Sequence, residues 1–361
     1  MKYKNIQLKD VADIVMGQSP KSVFYNTDGK GIPFLQGVRT FGENYPQIDT
    51  WTTSYNRKAK SGEILFSVRA PVGRVNWANQ DLAVGRGLAT LKIKSGYSKE
   101  YLYYLFKKIG SHLNSLATGT VFTSINKKEL EALELKIPVN LSDQEKIASY
   151  LQKIDQEIEL NNQINDNLIA ISKAKWLDLL SSTSTTEVVM NKIAKITMGQ
   201  SPKSSTYNTN NEGLPLLNEA TDFRENINPQ RWTSDPKRVV YPNSYIFGVR
   251  ATIGLTTKVY QKYAIGRGTG AATPINIIYD EFLYFYLEDL FKFYSQTGSG
   301  SVYINISKKE FENYKIDVPK ISFIEQFHSE INPLFNQIKN NKLQNITLLQ
   351  IKKDMLNKYF Q

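Results

Sequence analysis

The sequence of 361 residues contains no cysteine, only two histidines, and no apolar run long enough to cross a membrane. Without cysteine, disulfides and thiolate zinc sites are excluded. A membrane helix needs roughly 18 consecutive apolar residues, and the polar segment Met1–Asn5 does not resemble the start of a signal peptide. We therefore expect a soluble, cytoplasmic protein with no membrane partner.

Catalytic motifs are equally scarce. His112 and His328 lie on separate predicted helices, in neither a triad nor a metal-binding pattern. There is no Gly-x-x-x-x-Gly-Lys-Ser/Thr loop for ATP and no Asn-Pro-Pro-Tyr/Phe stretch for a flipped adenine. Glu134-Leu135-Lys136 has the Glu-x-Lys form of many restriction nucleases, but no aspartate stands between Ser111 and Val121, so we predict a strand edge there. The sequence predicts a chain that is no enzyme by itself and holds no cofactor or metal.

Basic residues, in contrast, are abundant. The chain has 45 Lys and Arg against 34 Asp and Glu, a net charge of +11. Residues 1–142 carry a net +9 of this and residues 183–320 a net +3. Such an excess is typical of proteins that bind a polyanion, most simply nucleic acid. On charge alone, an ordinary basic protein remains the alternative.

The sequence also repeats itself. A near-constant offset through four separate blocks indicates a tandem duplication. We therefore predict two domains of one fold, with an internal pseudo-twofold repeat of about 181 residues. At offsets of 181 or 182, Met16–Ser22 returns as Met198–Ser204, Phe66–Ala70 as Phe247–Ala251, Gly85–Gly87 as Gly266–Gly268, and Gly119–Pro138 as Gly300–Pro319.

Both halves have the same internal order. Each begins with a β-rich part that contains a short, apolar, buried strand. An amphipathic helix follows, and then a capping box that opens a short helix. In the first half these features are Ile64–Val68, Leu102–Leu116 and Asn126–Glu129, and in the second half they are Tyr245–Val249, Asp280–Tyr294 and Ser307–Glu310.

A long helix is predicted after each half. Residues 142–180 contain neither Gly nor Pro, and apolar residues from Ile147 to Leu168 recur in steps of three and four, as they do from Phe327 to Tyr359. Steps of this kind sustained over many turns indicate coiled-coil helices. Pro333 predicts a kink or a fresh helix start within the second helix. Ser181–Thr186 is predicted to be a linker between the halves.

Four asparagines interrupt the apolar seam of these helices. Asn161 and Asn165 lie in the first helix, and Asn341 and Asn345 occupy matching positions in the second. Polar seam residues lower stability but fix register and orientation. We predict that the two helices pack antiparallel and that these asparagines meet. The alternative is that the four amides face solvent.

Taken together, these blocks resemble the specificity subunits of type I restriction-modification systems. Each half opens with Met-Gly-Gln-Ser-Pro-Lys-Ser, continues with Val-Arg-Ala and Gly-Arg-Gly, and closes with Lys-Lys-Glu, a proline and a long helix. Asp143–Ile147 is similar to the family's helix opening, whereas Ile324–Phe327 departs from it. The resemblance implies an α+β fold: target-recognition domains at 1–142 and 182–320, and spacer helices at 143–181 and 321–361 that form an antiparallel coiled coil.

The resemblance also implies a function. Such subunits recognise a bipartite site in double-stranded DNA, one half-site per domain, and their helices set the spacer. A helix of about 38 residues spans roughly 57 Å, enough for modules that read major grooves one turn, about 34–36 Å, apart. The helices also dock two methyltransferase subunits, which carry S-adenosylmethionine. Motor-nuclease subunits, which need ATP and Mg²⁺, complete the restriction enzyme.

Comparison of the halves nominates DNA-binding residues. Basic residues present in both copies are predicted to contact phosphates, which position a protein without specifying sequence. The alternative is that the arginines at strand ends brace the fold. The shared residues are Lys21, Arg69 and Arg86, with Lys203, Arg250 and Arg267 as their counterparts.

Segments that differ between the halves are predicted to read different half-sites. Gln36, Arg39, Asn218 and Arg224 are of types that pair bidentately with adenine or guanine. The hydroxyl-rich loops Thr118–Thr123 and Thr297–Tyr303 are further candidates to enter a groove.

Two other interpretations stay open at this point. A coiled-coil-spaced structural or adaptor protein would bind protein rather than DNA, and would show no salt-dependent DNA affinity. A specificity subunit of a methyltransferase-only relative would differ from the main interpretation only in its partner chains.

Overall fold

The computed structural model describes residues 1–116, 124–223, 227, 229–249, 256–297 and 307–360. The chain divides into two compact units. Unit 1 comprises Met1–Leu160 with Leu343–Gln361, and unit 2 comprises Asn161–Lys342. Each unit therefore contains one β-rich domain together with a part of each long helix.

Unit 1 consists of short strands followed by helices. Its strands are β1 Tyr3–Gln7, β2 Ala12–Met16, β3 Tyr25–Asn26, β4 Ile32–Leu35, β5 Trp51–Thr52, β6 Lys58–Ala59, β7 Ile64–Ser67, β8 Val75–Trp77, β9 Leu82–Val84, β10 Leu88–Ile93 and β11 Glu134–Pro138. Its helices are α1 Leu8–Val11, α2 Lys99–Leu116, α3 Lys127–Glu131 and the first part of α4, which runs from Leu141 to Ser182, together with the end of the C-terminal long helix.

Three sheets organise the strands of unit 1. Strands β1 and β11 form a pair, and the other two sheets have the orders β2-β10-β7-β8 and β3-β5-β4-β9-β6. Strand β7 is central and all four of its residues are buried, as its unbroken apolar sequence predicts. Strands β4 and β9 are parallel. That pairing carries the ends of β4 and β9 to the same edge, where the candidate site lies.

Unit 2 repeats this plan. Its sheets are β12-β22, β13-β21-β18-β19 and β14-β16-β15-β20-β17, again with one parallel pair, β15 and β20. The strands are β12 Thr185–Val189, β13 Ala194–Met198, β14 Tyr207–Asn208, β15 Leu214–Leu217, β16 Arg231–Thr233, β17 Val239–Val240, β18 Tyr245–Gly248, β19 Thr256–Lys258, β20 Tyr263–Ile265, β21 Thr269–Pro274 and β22 Lys315–Pro319. The helices are the second part of α4, α5 Asp280–Thr297, α6 Lys308–Glu312 and the first part of α7, which runs from Ile321 to Tyr359. The predicted duplication and the α+β class are confirmed.

The predicted capping boxes begin the short helices α3 and α6. The Asn126 side chain accepts from the Glu129 backbone N–H, and Glu129 in turn accepts from the Asn126 N–H at 2.8 Å. Ser307 and Glu310 make the same reciprocal pair. Because each box satisfies backbone donors that the first helical turn leaves unpaired, a four-residue sequence pattern was sufficient to locate both helix starts.

The long helices run antiparallel within each unit. In unit 1, Lys352 Nζ lies 2.6 Å from Asp155 Oδ1, and Gln344 donates to Glu157. In unit 2, Lys175 bonds to Glu330 at 2.7 Å, and residues further along α4 pair with residues earlier in α7. The seam predicted from steps of three and four is the buried face, with Ile147 and Leu151 in the unit 1 core and Ile331 in the unit 2 core.

Two local predictions about the helices need revision. The segment Ser181–Thr186 is not a free linker, because α4 continues to Ser182 and β12 begins at Thr185. Helix α7 continues through Pro333, so of the two alternatives predicted for this proline the fresh helix start is wrong.

All four seam asparagines are buried, with exposed fractions of 2–5%. In unit 2, Asn341 Nδ2 donates to Asn165 Oδ1 at 2.9 Å. The Asn341 oxygen also accepts from Gln337 at 2.7 Å. A buried amide pair of this kind is a specific polar contact in an otherwise apolar seam, which is the arrangement that favours one register.

Replacing Asn341 by leucine is expected to lower the free energy of unfolding by about 1–3 kcal/mol, because the buried Asn165 amide loses its partner. The double variant Asn165→Leu/Asn341→Leu is expected to be more stable than either single variant, since neither of the two seam positions then holds a buried, unpaired amide. Urea unfolding of the four proteins of this cycle measures the coupling. Strictly additive effects would show that the amide pair contributes nothing.

Candidate nucleic-acid interface

Three of the repeated sequence blocks meet at one backbone junction in unit 1. The Gly17 N–H donates to the Leu88 carbonyl at 2.8 Å, which joins the Met-Gly-Gln-Ser-Pro block to the strand after Gly-Arg-Gly. The Gly87 N–H donates to the Gln36 carbonyl at 3.1 Å, and the Gly87 carbonyl accepts from the Val68 N–H at 2.9 Å. The junction therefore explains why these short blocks recur together.

Unit 2 contains the same junction. The Gly199 N–H donates to the Thr269 carbonyl at 2.9 Å, and the Gly268 N–H donates to the Asn218 carbonyl at 3.1 Å. The Gly268 carbonyl accepts from the Val249 N–H at 3.1 Å. The position taken by Gln36 in unit 1 thus belongs to Asn218 in unit 2.

Close backbone approach makes the junction glycines necessary. A Cβ on Gly17 would overlap the Gly85 carbonyl oxygen and lie 2.8 Å from that of Leu88. A Cβ on Gly87 would lie 2.6 Å from the Gln36 carbonyl oxygen. Real Cβ atoms essentially never come this close, and the obstructing atoms are all backbone atoms.

A concave pocket of about 460 Å³ opens beside the unit 1 junction. Gln36, Arg39 and Arg86, three of the residues nominated from sequence, line it together with the aromatic ring of Tyr25. Lys21 is exposed and lies between two further lining residues, Pro20 and Ser22. The fold therefore gathers four predicted DNA-binding residues around one concave surface.

An ion pair holds Arg39 at the edge of this pocket. Arg39 Nη2 lies 2.7 Å from Asp49 Oδ2 and 2.9 Å from Oδ1. Hydrogen bonds from the Thr50 hydroxyl and from Arg39 lower the pKa of Asp49 below its ordinary value. Because both groups are largely exposed, this pair orients the guanidinium more than it stabilises the fold.

A hydroxyl links the two repeated blocks to Gln36. The Ser19 Oγ accepts from the Arg86 backbone N–H at 3.0 Å and donates to Gln36 Oε1 at 2.9 Å. In unit 2, Ser201 Oγ accepts from the Arg267 N–H at 3.3 Å and donates to Asn218 Oδ1 at 3.1 Å. We call these two hydrogen bonds, from the arginine N–H to the serine and from the serine to the amide oxygen, the serine relay. The side chains of Arg86 and Arg267 are exposed beside it.

The other nominated residues lie elsewhere or outside the described residues. Lys203 is exposed within the repeated heptapeptide of unit 2, and exposed Arg69 follows β7 and bridges to Ser124 without lining the pocket. Arg224 and Arg250 lie outside the described residues. So do 118–123 and 298–303 of the two hydroxyl-rich loops.

The remaining polar candidates have structural partners. His328 Nδ1 lies 2.6 Å from Glu281 Oε2, and Asn332 donates to the other oxygen of Glu281. Burial raises the pKa of Glu281. This contact packs α7 against α5. Glu134 and Lys136 lie in a strand, as predicted; this strand, β11, pairs with β1. Among the described residues, no group of three metal-ligating side chains occurs, and no helix has the length and apolar character of a membrane span.

Sequence reasoning missed Ser19, Ser201 and Asp49. A signal for the two serines was present, because both lie in the repeated heptapeptide and a shared residue is expected to do shared work. Asp49 has no such signal, since its role depends on a contact with Arg39 ten residues away in an irregular loop.

Comparison with known proteins agrees with this architecture. The family model of the type I restriction modification DNA specificity domain matches twice, over residues 1–169 and 185–348. A putative type I restriction enzyme MjaX specificity subunit from Methanocaldococcus jannaschii is 40% identical over 168 residues, which cover 46% of this chain and 39% of that protein. The type I restriction enzyme MjaIX specificity subunit from the same organism is 24% identical over 98% of this chain and 91% of its own length.

A solved structure shares the fold. The S subunit of a type I restriction-modification system from M. genitalium superposes with a TM-score of 0.59 at 19% sequence identity, and the match covers 100% of this chain and 96% of that one. At this sequence identity the similarity is evidence for the fold alone. Since the family model spans both halves, this chain belongs to the type I restriction-modification DNA specificity family and carries its domain twice.

Proposed function

We propose that this chain is the DNA-recognition subunit of a type I restriction-modification complex, and that each unit reads one half of a bipartite site. One observation carries the proposal. The same backbone junction is built in both units, while the side chain presented there is Gln36 in one and Asn218 in the other. A shared frame with different readout groups is what recognition of two different half-sites requires.

Within this proposal, the basic residues common to both units contact phosphates. Lys21, Arg86, Lys203 and Arg267 are exposed beside the junctions, where they position the protein without specifying bases. Arg69 has the same proposed role at the end of β7, as does Arg250. The residues proposed to contact the bases are Gln36, Arg39, Asn218 and Arg224.

The long helices are proposed to dock two methyltransferase subunits and to set the unspecified spacer between half-sites. Exposed apolar side chains on α4 and α7 support a protein partner, because solvent-facing helix surfaces are usually polar. In unit 1 they include Leu160, Leu343 and Ile346, and in unit 2 Ile171 and Leu177. S-adenosylmethionine would belong to those partners. ATP and Mg²⁺ would belong to motor-nuclease subunits, and the complex would act in the cytoplasm, where the DNA is.

A methylome tests the proposal. The chain is expressed with the methyltransferase encoded beside it in a host that lacks DNA methylation, and the DNA is sequenced for N6-methyladenine. A split motif, two short defined blocks around a fixed gap, is expected. A continuous motif would refute the spacer role. No methylation by a complex shown to be assembled and soluble would favour the adaptor interpretation.

Replacing Arg86 by alanine is expected to weaken DNA binding about equally on all sequences. Each phosphate contact contributes about 0.9 to the slope of log affinity against log salt concentration. The variant is therefore expected to lower that slope by about 1. The measurement is a salt titration of the assembled complex on its site and on unrelated duplex DNA.

Lys92→Ala provides the matched control, because Lys92 is an exposed cation on β10 that does not line the pocket. This control is expected to leave the slope unchanged. A loss confined to one base position in Arg86→Ala would instead make Arg86 a base-reading residue.

A further inference from the structure

The serine relay constrains which atom of the readout amide is available. In unit 1 the Ser19 oxygen accepts from the Arg86 backbone N–H, and because an amide oxygen can only accept, the Ser19 hydroxyl donates its proton to Gln36 Oε1. The amide oxygen is therefore turned toward the protein. The nitrogen, with two N–H donors, has no protein partner among the described contacts.

Crowding at the oxygen strengthens this constraint. A Cβ on Gly85 would lie 2.9 Å from Gln36 Oε1, so the oxygen packs against the glycine that precedes Arg86. In unit 2, a Cβ on Gly266 would overlap Asn218 Oδ1. In both units the amide oxygen therefore packs against a glycine and accepts from a serine hydroxyl.

The arrangement is the same in both units although the side chains differ. Gln36 is one methylene longer than Asn218, yet each amide oxygen accepts from the equivalent serine of the repeated heptapeptide. Two independent copies of one geometry with different residues indicate that the fold selects the orientation of the amide. A free amide reads adenine with both its oxygen and its nitrogen, whereas the oxygen of this one already accepts from the serine and its two N–H donors are left for a base.

We propose that Ser19 and Ser201 are positioning residues that fix Gln36 and Asn218 as hydrogen-bond donors, so that each half-site carries a base with a major-groove acceptor at the corresponding position. The acceptors of that class are guanine O6 and N7, adenine N7 and thymine O4. This inference rests on the proposed function and narrows it. It also replaces the bidentate adenine contact expected from residue type alone.

The test replaces the proposed hydrogen-bond donor at position 36 by an acceptor. The assembled complex of this chain with its methyltransferase selects from duplexes randomised in both half-sites, and the wild-type motif is compared with that of Gln36→Glu. A glutamate still accepts from Ser19 and presents its second oxygen to the base. At one position of one half-site, preference is expected to move about tenfold toward a base with a donor, such as cytosine N4.

Matched variants distinguish a role of the serines in positioning the amides from a role in folding. Asn218→Asp is expected to make the same change in the other half-site only. Ser19→Ala is expected to relax selectivity at the Gln36 position, and Ser19→Thr, which retains the hydroxyl, to restore it. Each variant is first checked for an unaltered melting temperature.

Two outcomes would contradict the inference. If the wild-type complex selects a split motif but Gln36→Glu leaves every base preference unchanged, or weakens all sequences alike, the donor assignment is wrong while the proposed function stands. If the wild-type complex selects no motif, the proposed function fails, and the inference fails with it.

Discussion

Replacing Gly17 by alanine is expected to lower the free energy of unfolding by about 3 kcal/mol, at the upper end of the range for overpacking. The added methyl would overlap the Gly85 carbonyl and crowd that of Leu88. Both are backbone groups, and the Gly17 N–H already bonds to Leu88. The clash can be relieved only if the backbone segments of this junction move apart. We therefore expect the variant to lose the pocket as well as stability. Urea unfolding of the full chain measures the first effect and half-site selectivity the second.

Gly37→Ala is the matched control for this prediction. Gly37 lines the same pocket and adopts an extended backbone with φ of −173°, and a methyl group added to it would meet no atom of the described residues within 4 Å. We expect the stability of this variant to be close to that of the wild type. Equal losses in the two variants would mean that glycine at position 17 is not required by close approach.

Replacing Arg39 by alanine is expected to relax base preference in one half-site only, by about 1–3 kcal/mol of discrimination, the range for a guanidinium that reads a guanine. Asp49 orients Arg39 through a single terminal nitrogen, Nη2, and among the described residues no further hydrogen bond engages the other guanidinium donors. Selection from randomised duplexes by the assembled complex measures the change position by position.

A second variant decides whether Arg39 reads a base or braces its loop. Asp49→Asn keeps the guanidinium but weakens its orientation, so base preference is expected to weaken without being abolished. Identical effects from Arg39→Ala and Asp49→Asn would assign the pair a bracing role. A uniform loss of affinity over all sequences would assign Arg39 to a phosphate.

Local sequence patterns predicted much of the fold. The apolar run of β7, the capping box at Asn126 and the seam through Ile147 each depend on residues a few positions apart, and each was found where expected. The segment 181–186 was mispredicted because its Ser and Thr residues suit both loops and strand starts, and the pairing of Thr185 with Pro319 decides between them.

The candidate site was predicted only in part. Gln36, Arg39 and Arg86 were nominated by comparison of the two halves, yet nothing in their spacing indicates that they share a pocket. The role that we propose for Gln36 is also narrower than its residue type predicts, because an amide has both an oxygen and a nitrogen to offer and the oxygen is in contact with Ser19.

The sequence by itself determined the duplication, the β-rich domains, the long helices and the positions of their polar seam residues. These features follow from repetition and periodicity, which are properties of neighbouring residues. Only the tertiary structure decided that Gly17 meets Leu88, that Ser19 joins Arg86 to Gln36, and which atom of that amide stays free. These contacts join residues up to 71 positions apart, and their geometry exists only once the parallel pairing of β4 with β9 has brought the segments together.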